Sequence, residues 1–203
     1  VNGEQGRAKP GDRVVVDPSI ACGHCYPCSI GRFNICEDLQ VLGVHKDGAY
    51  SEYFLACHNQ LYRVPDRIAD EEAVLAEPLS IAAQTIDRGQ ISKKDKVLLI
   101  GAGPIGLATL ALLKEIKAST MVVDLLPARL EAAQKLGADV IIDGGLEEKE
   151  ILIAVRAFAG KSGPQVVIDA AGVQDTINMA VTSVSRAGRI VILGMSPPDV
   201  MLS

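Results

Sequence analysis

The apolar positions of this chain fall into two textures. Over residues 1–75 the apolar runs are short and punctuated by turn signals: Lys9-Pro10-Gly11-Asp12, Asp17-Pro18, Lys46-Asp47-Gly48 and Val64-Pro65-Asp66. That punctuation predicts irregular β structure, with Val14-Val15-Val16 as one strand. From Lys96 onward, apolar runs of strand length alternate with helical periods. Strands are predicted over 97–100, 121–124, 140–142, 166–169 and 190–193, and helices over 105–116, 128–136, 146–158 and 174–186. In the second of these helices Leu126, Leu130, Ala133 and Leu136 recur at helical spacing, and Gly137 ends the run. Strand–helix alternation of this kind forces a parallel sheet with crossover helices, an α/β doubly wound fold. Five strands are predicted where the full two-part arrangement has six. Between the textures, residues 69–87 read as helical, with Pro78 interrupting directly after Glu77.

Composition adds to this picture. Of 203 residues, 48% are hydrophobic but only 3% aromatic and none is Trp. The core is therefore aliphatic, as a parallel sheet covered on both faces requires. A net charge of −5 argues against a nucleic-acid or anionic-membrane partner. Charges and glycines interrupt every apolar run before the ~20 residues that a membrane helix needs. No leader segment is visible at Val1, so a cytoplasmic protein is expected. The chain starts on Val and closes at Ser203, just past Pro197-Pro198. Both ends read as cuts through a larger fold.

Four of the five cysteines fall within residues 22–36. Cys22, Cys25 and Cys28 form two overlapping Cys-x-x-Cys turns, and Cys36 returns after seven residues. Gly23 and Pro27 favour the tight turns. Four thiolates at ~2.3 Å fill a tetrahedral zinc shell and leave no position for water or substrate, so the site reads as structural. An iron–sulfur run is disfavoured, because the ferredoxin pattern places its last Cys after three residues and follows it with Pro, and here Glu37 follows. Disulfides are disfavoured in a reducing compartment. His24 reads as a solvent-facing loop residue, and Cys57 as a small buried hydrophobe.

Gly101-Ala102-Gly103-Pro104-Ile105-Gly106 follows a predicted strand and opens a predicted helix, the context a dinucleotide fingerprint requires. Gly101 permits the tight turn, Gly103 removes a Cβ from the path of the pyrophosphate, and Gly106 lets the helix pack close to the sheet. The first N–H groups of the helix face the phosphates. Asp124 ends the next strand, 18 positions beyond Gly106. A carboxylate there accepts both ribose hydroxyls and repels a 2′-phosphate, which selects NAD over NADP. Arg129 either covers the adenine face or sits on the helix surface. Asp169-Ala170-Ala171-Gly172 and Leu193-Gly194-Met195 close the fourth and fifth strands. They line the nicotinamide end of such a crevice, or are ordinary small-residue turns.

These features, in this order, resemble the zinc-containing medium-chain alcohol dehydrogenases. The stretches Cys22-Gly-His-Cys-Tyr-Pro-Cys-Ser-Ile-Gly-Arg, Val41-Leu-Gly-Val-His-Lys-Asp-Gly-Ala-Tyr-Ser-Glu-Tyr and Ala76-Glu-Pro-Leu-Ser are most similar to the polyol and sugar-acid branch, which includes sorbitol, L-idonate, galactonate-type and starvation-sensing-type dehydrogenases. The resemblance implies part of a GroES-like β catalytic domain over 1–75, carrying the zinc lobe at 22–36. It implies a connecting helix with a Glu-Pro motif over 76–95 and an NAD-binding Rossmann domain over 96–203. It implies zinc and NAD as cofactors, a polyol or sugar-acid substrate, and a homodimer or homotetramer. It also places Glu77 beside a catalytic zinc, as a ligand or through a water; read from the residues alone, a Glu before Pro is a solvated cap. His45 either reaches the substrate cleft or is structural. Gln84 stands where relatives often have His. Val1-Asn2-Gly3-Glu4 is similar to the strand after the family's Gly-His-Glu motif, and the remaining catalytic ligands and return strands fall outside this chain, leaving open β edges. The competing expectation is a catalytically incomplete module that binds zinc and NAD as a sensor or partner.

Overall fold

Val97, Leu98, Leu99 and Ile100 offer no polar position because both faces of their strand are covered: none is more than 2% exposed in this computed structural model, which describes residues 8–196 and 199–202. Two compact units, Val1–Glu77 and Pro78–Ser203, make up the chain.

In the second unit five strands form one parallel sheet: β5 (Lys96–Ile100), β6 (Ser119–Asp124), β7 (Val140–Asp143), β8 (Val166–Asp169) and β9 (Arg189–Ile192). Their spatial order is β7-β6-β5-β8-β9. The sheet thus grows outward in both directions from β5, and the order reverses between β5 and β8. The helices α4 (Pro104–Glu115), α5 (Pro127–Lys135), α6 (Glu148–Ala159) and α7 (Gln174–Ser183) make the crossovers.

Side chains alternate along each strand, so the sheet supports two cores. Val97, Leu99, Val122, Val166 and Ile168 pack with Leu110 and Leu113 of α4 and Leu130 and Ala133 of α5. Leu98, Ile100, Met121, Val123 and Val167 pack with Ile151 and Val155 of α6 and Ala180 of α7. Each fully buried aliphatic side chain contributes about 1.5–3 kcal/mol of transfer free energy. That two-sided burial is why the strands read as continuous apolar runs. Helices end where the chain supplies a left-handed residue: Gly137 follows α5 at φ +94°, and Gly160 follows α6 at φ +90°.

The first unit is built from smaller pieces. β1 (Val14–Val16) pairs antiparallel with β4 (Leu61–Arg63), and β2 (Ser19–Ile20) with β3 (Gln40–Val41). Two-stranded sheets are marginal alone, and long-range side-chain bonds reinforce them. Gln60, only 6% exposed, donates to the carbonyls of Asp17 and Ser19, while Arg13 pairs with Asp70 and donates to the Ile68 carbonyl. Every strand here is an edge among the described residues.

Four expectations need correction. Pro78 does not interrupt a helix. It occupies the first turn of α3 (Ala76–Arg88), where its missing N–H would have found no partner in any case, and the break comes earlier, between α2 (Asp70–Ala73) and α3. The last helix ends at Ser183 rather than at 186, because Val184 is extended. The helix expected from 146 starts at Glu148. Cys57 is exposed rather than buried. It precedes a 3-10 turn, His58–Gln60, and its N–H donates to Gln60 Oε1 at 2.9 Å. The strand expected at Val1–Glu4 and the Pro197-Pro198 turn lie outside the described residues.

Candidate metal and cofactor sites

The cysteine lobe lies wholly in the first unit. The short helix α1 (Tyr26–Ser29) starts on Pro27 in its first turn and presents Cys28 inward. A 3-10 turn, Phe33–Ile35, then returns the chain so that Cys36 is buried. The ligand atoms of Cys22, Cys25, Cys28 and Cys36 all lie within 4.8 Å of one another. A 2.3 Å zinc–sulfur bond in a tetrahedron sets sulfurs about 3.8 Å apart, and Cys25 Sγ is 3.8 Å from Cys36 Sγ. The Cys22 N–H donates to Cys36 Sγ at 3.2 Å, a backbone contact that favours thiolate.

These thiols do not titrate alike. Cys25 is drawn down to about 6, first by the backbone N–H of Glu37 and then by that of Cys28. Cys28 is pushed up to about 12, first by burial and then by its hydrogen bond with Cys25. One sulfur therefore takes the charge and its neighbour keeps its proton. A divalent cation is what lets four such close sulfurs be anionic together, and the donor set fits zinc. His24 is exposed and bonds its own turn, Nδ1 to the Cys22 carbonyl at 3.0 Å. His45 Nδ1 accepts the Val41 N–H at 3.0 Å, which closes a turn.

The second site lies at the carboxyl ends of β5 and β8, where the strand order reverses. Gly101 leaves β5 at φ +97°, and a Cβ there would stand 3.1 Å from the Ala170 carbonyl carbon, so only glycine allows the two chains this proximity. Gly106 packs against the Gly101 carbonyl so closely that any Cβ would overlap it. Gly103 differs. It is the residue before α4, and nothing lies within 4 Å of the Cβ it lacks. Gly103 thus leaves open space where α4 begins with Pro104-Ile105-Gly106, and the first N–H groups of a helix have no partner within it, which is how a backbone cradle for phosphate is made.

Asp124 closes β6 beneath this loop and is 7% exposed. Its Oδ2 accepts the Ala102 N–H at 2.7 Å and its Oδ1 accepts the Leu126 N–H at 2.8 Å. Arg129 Nη1 stands 3.7 Å from Oδ2, which places the guanidinium beside the carboxylate. Asp169 closes β8 in the same manner. It is fully buried and accepts the N–H groups of Ala171 and Gly172 at 3.1 and 3.2 Å. Ala170 is partly buried and its N–H donates to the Ile100 carbonyl, while the Leu193 and Gly194 N–H groups both donate to the Asp169 carbonyl. Gly172, at φ +74°, then meets Gly194 backbone to backbone: a Cβ on Gly172 would lie 2.9 Å from Gly194 Cα. Met195, next in line, is 97% exposed. The pattern placed Ala102 in the fingerprint and Asp169 to Gly172 in a loop beside the crevice, but gave no role to the Asp169 carboxylate or to the Ala102 N–H. The signal for Asp169 is there: Asp124, Asp143 and Asp169 each end an apolar strand and each cap the turn that follows.

Glu77 lies in the first turn of α3 and is exposed. Among the described residues, no group of three metal-ligating side chains includes it. Gln84 is also on α3 and exposed.

Known proteins are similar to this chain in sequence and fold. The family described as alcohol dehydrogenase GroES-like domain matches residues 1–66, and that described as zinc-binding dehydrogenase matches residues 104–202. The starvation-sensing protein RspB of Escherichia coli (strain K12) is 41% identical over 191 residues, 93% of this chain and 55% of RspB. Sorbitol dehydrogenase of Bacillus subtilis (strain 168) is 36% identical over 189 residues, 92% of this chain and 53% of the enzyme. A crystal structure of the alcohol dehydrogenase RspB from E. coli CFT073, complexed with cofactor NADH, superposes with a TM-score of 0.88 at 40% identity, covering 95% of this chain and 57% of that one. The chain thus spans about half the length of the curated relatives it matches.

Proposed function

The chain belongs to the zinc-type medium-chain alcohol dehydrogenase family, and from that premise we propose that the whole protein transfers hydride between a secondary alcohol of a polyol or sugar acid and NAD. The observation that carries the proposal is the crevice at the strand-order reversal, where an open Gly103, the start of α4 and the Asp124 carboxylate converge. NAD, when bound, supplies the hydride acceptor. The chain's part is to hold it. The α4 N–H groups take the pyrophosphate. Two lone pairs of Asp124 go to Ala102 and Leu126, and those that remain accept ribose hydroxyls and repel a 2′-phosphate. Arg129 lies along the adenosine side. Ala170, Leu193, Gly194 and Met195 border the nicotinamide end.

The four cysteines would hold a zinc whose closed shell supplies folding energy and no chemistry. A catalytic zinc is a different matter. It takes three protein ligands, and Glu77 is the one candidate named among the described residues, so no step is derived through that metal. The polyol class rests on relatives such as sorbitol dehydrogenase. The same reading has residues 1–75 as the GroES-like portion, 76–95 as a connecting helix and 96–203 as the NAD-binding domain of a cytoplasmic homodimer or homotetramer.

The test is an assay of the protein against a panel of polyols and aldonates, following NADH. Turnover on a secondary alcohol is expected. NAD binding without turnover on any of them would overturn the substrate class. One observation favours a second reading, a module that binds zinc and NAD without catalysis: the four cysteines are the sole group of three or more metal-ligating side chains among the described residues. Zinc analysis separates the readings, with one zinc per chain for the module and two for the enzyme.

A further inference from the structure

Carboxylates are missing from two stretches of the second unit. Residues 151–168 and 176–198 contain no Asp or Glu, although the chain as a whole carries −5. These stretches meet at a cavity of about 470 Å³ lined by Arg156, Lys161, Ser162, Val184 and Arg186. It lies at the amino ends of β8 and β9, which start at Val166 and Arg189. The glycine-rich crevice lies at the opposite rim, about 13 Å away at ~3.3 Å per residue of strand.

None of the three cations forms an ion pair among the described residues. Arg156 is held in place: Nη2 donates to the Thr182 carbonyl at 3.1 Å, and Gly163, at φ +91°, lacks the Cβ that would overlap Nη1. The turn Gly160-Lys161-Ser162-Gly163 is closed by the Gly163 N–H on the Gly160 carbonyl at 3.0 Å, while the N–H groups of Lys161 and Ser162 donate to no acceptor among the described residues. Helix dipoles alone do not account for this convergence. Arg156 lies in the last turn of α6 and complements its carbonyls, but Lys161 and Arg186 lie beyond the ends of α6 and α7.

We propose that this cavity is a phosphate-recognition site, taking inorganic phosphate or the phosphoryl group of a small metabolite. Two guanidinium groups, an ammonium, a hydroxyl and two backbone N–H groups match a tetrahedral dianion with several acceptor oxygens. Its place on the far rim makes it separate from the dinucleotide crevice and independent of the proposed reaction.

The experiment is a titration of the protein with inorganic phosphate at constant ionic strength, read by NMR at the backbone amides of Lys161 and Ser162. A saturable shift at these amides is expected. The double variant Lys161→Gln/Arg186→Gln, in which both side chains are exposed and the fold is kept, should weaken binding at least tenfold while amide shifts elsewhere stay in place. No saturable shift, undiminished binding in the double variant, or shifts confined to the amides of residues 101–106 would each overturn the proposal.

Discussion

The Asp124 carboxylate and the Ala102 N–H are joined at 2.7 Å across the base of the glycine-rich loop. The residue proposed to select the ribose therefore also shapes the loop proposed to take the pyrophosphate. An Asp124→Ala change leaves the buried Ala102 N–H and the N–H of the half-exposed Leu126 without their acceptor. The expected cost is about 1–3 kcal/mol in urea unfolding, together with at least a tenfold loss of NAD affinity and a narrowed preference over NADP. Unchanged stability would show that the loop holds its shape without this link.

Gly103 and Gly106 should respond in opposite ways to the same methyl group. Gly103→Ala meets open space, so thermal stability should hold while NAD affinity falls about tenfold or more. Gly106→Ala collides with the Gly101 carbonyl, so stability itself should fall, by roughly 1–3 kcal/mol for an overpacked site. Differential scanning fluorimetry and NAD titration on both variants check this contrast, and equal unfolding losses would refute it.

Zinc affinity should climb with pH. Near neutrality Cys25, drawn down to about 6, is largely thiolate, whereas Cys28, pushed up to about 12, holds its proton. Binding must expel at least the Cys28 proton, so affinity rises about tenfold or more per pH unit. Below about pH 6 protonation of Cys25 steepens the slope. Competition with a chromophoric chelator between pH 5.5 and 8 reads it, and a flat profile would refute the prediction. Removing the metal should open residues 20–45 to protease and leave the five-stranded sheet intact.

Acid should attack two clasps of the second unit. Burial pushes the Asp95 carboxyl up, but the Ser92 N–H and hydroxyl and the Arg189 guanidinium outweigh it and hold the carboxyl below its ordinary 3.8. Asp139 is likewise depressed: burial raises it, and Lys114 at 2.8 Å and the Thr120 N–H at 2.6 Å more than compensate. For a depressed carboxyl the unfolded chain takes up the proton first. The stabilisation is thus complete above pH 3.8 and drains away as pH falls through the lower folded value. Arg189 also donates to the carbonyls of Gly89 and Gln90, both at 2.6 Å. Arg189→Met should cost about 1–3 kcal/mol at pH 7 and flatten the acid limb. Unfolding curves at pH 3 and pH 7 would expose a failure.

How much of this was legible beforehand depends on whether the governing interaction is local. The strands of the sheet announce themselves because burial on two faces removes every polar position, as at Val97–Ile100. The cysteine lobe is legible because ligand spacing is a property of one short segment. Pro78 misled, because a proline is tolerated at the start of a helix and disruptive in the middle, and position within an element is invisible until the element's start is known. Cys57 misled because its surroundings are set by distant chain, and a lone thiol carries no pattern of its own. The loop that starts at Asp169 was legible, but not the part of its carboxylate, which is fully buried and organises the turn beside the crevice through contacts that only the folded chain makes.

The backbone contact between Gly172 and Gly194 bears on how this scaffold can be re-engineered. The two loops are interlocked at this one point like the halves of a hinge pin, so neither glycine accepts a side chain unless the other loop is rebuilt with it. Altering what the protein acts on by loop exchange would have to treat residues 169–172 and 193–195 as one cassette. Libraries that diversify one of them alone should hold its glycine fixed and vary exposed positions such as Ala171 and Met195.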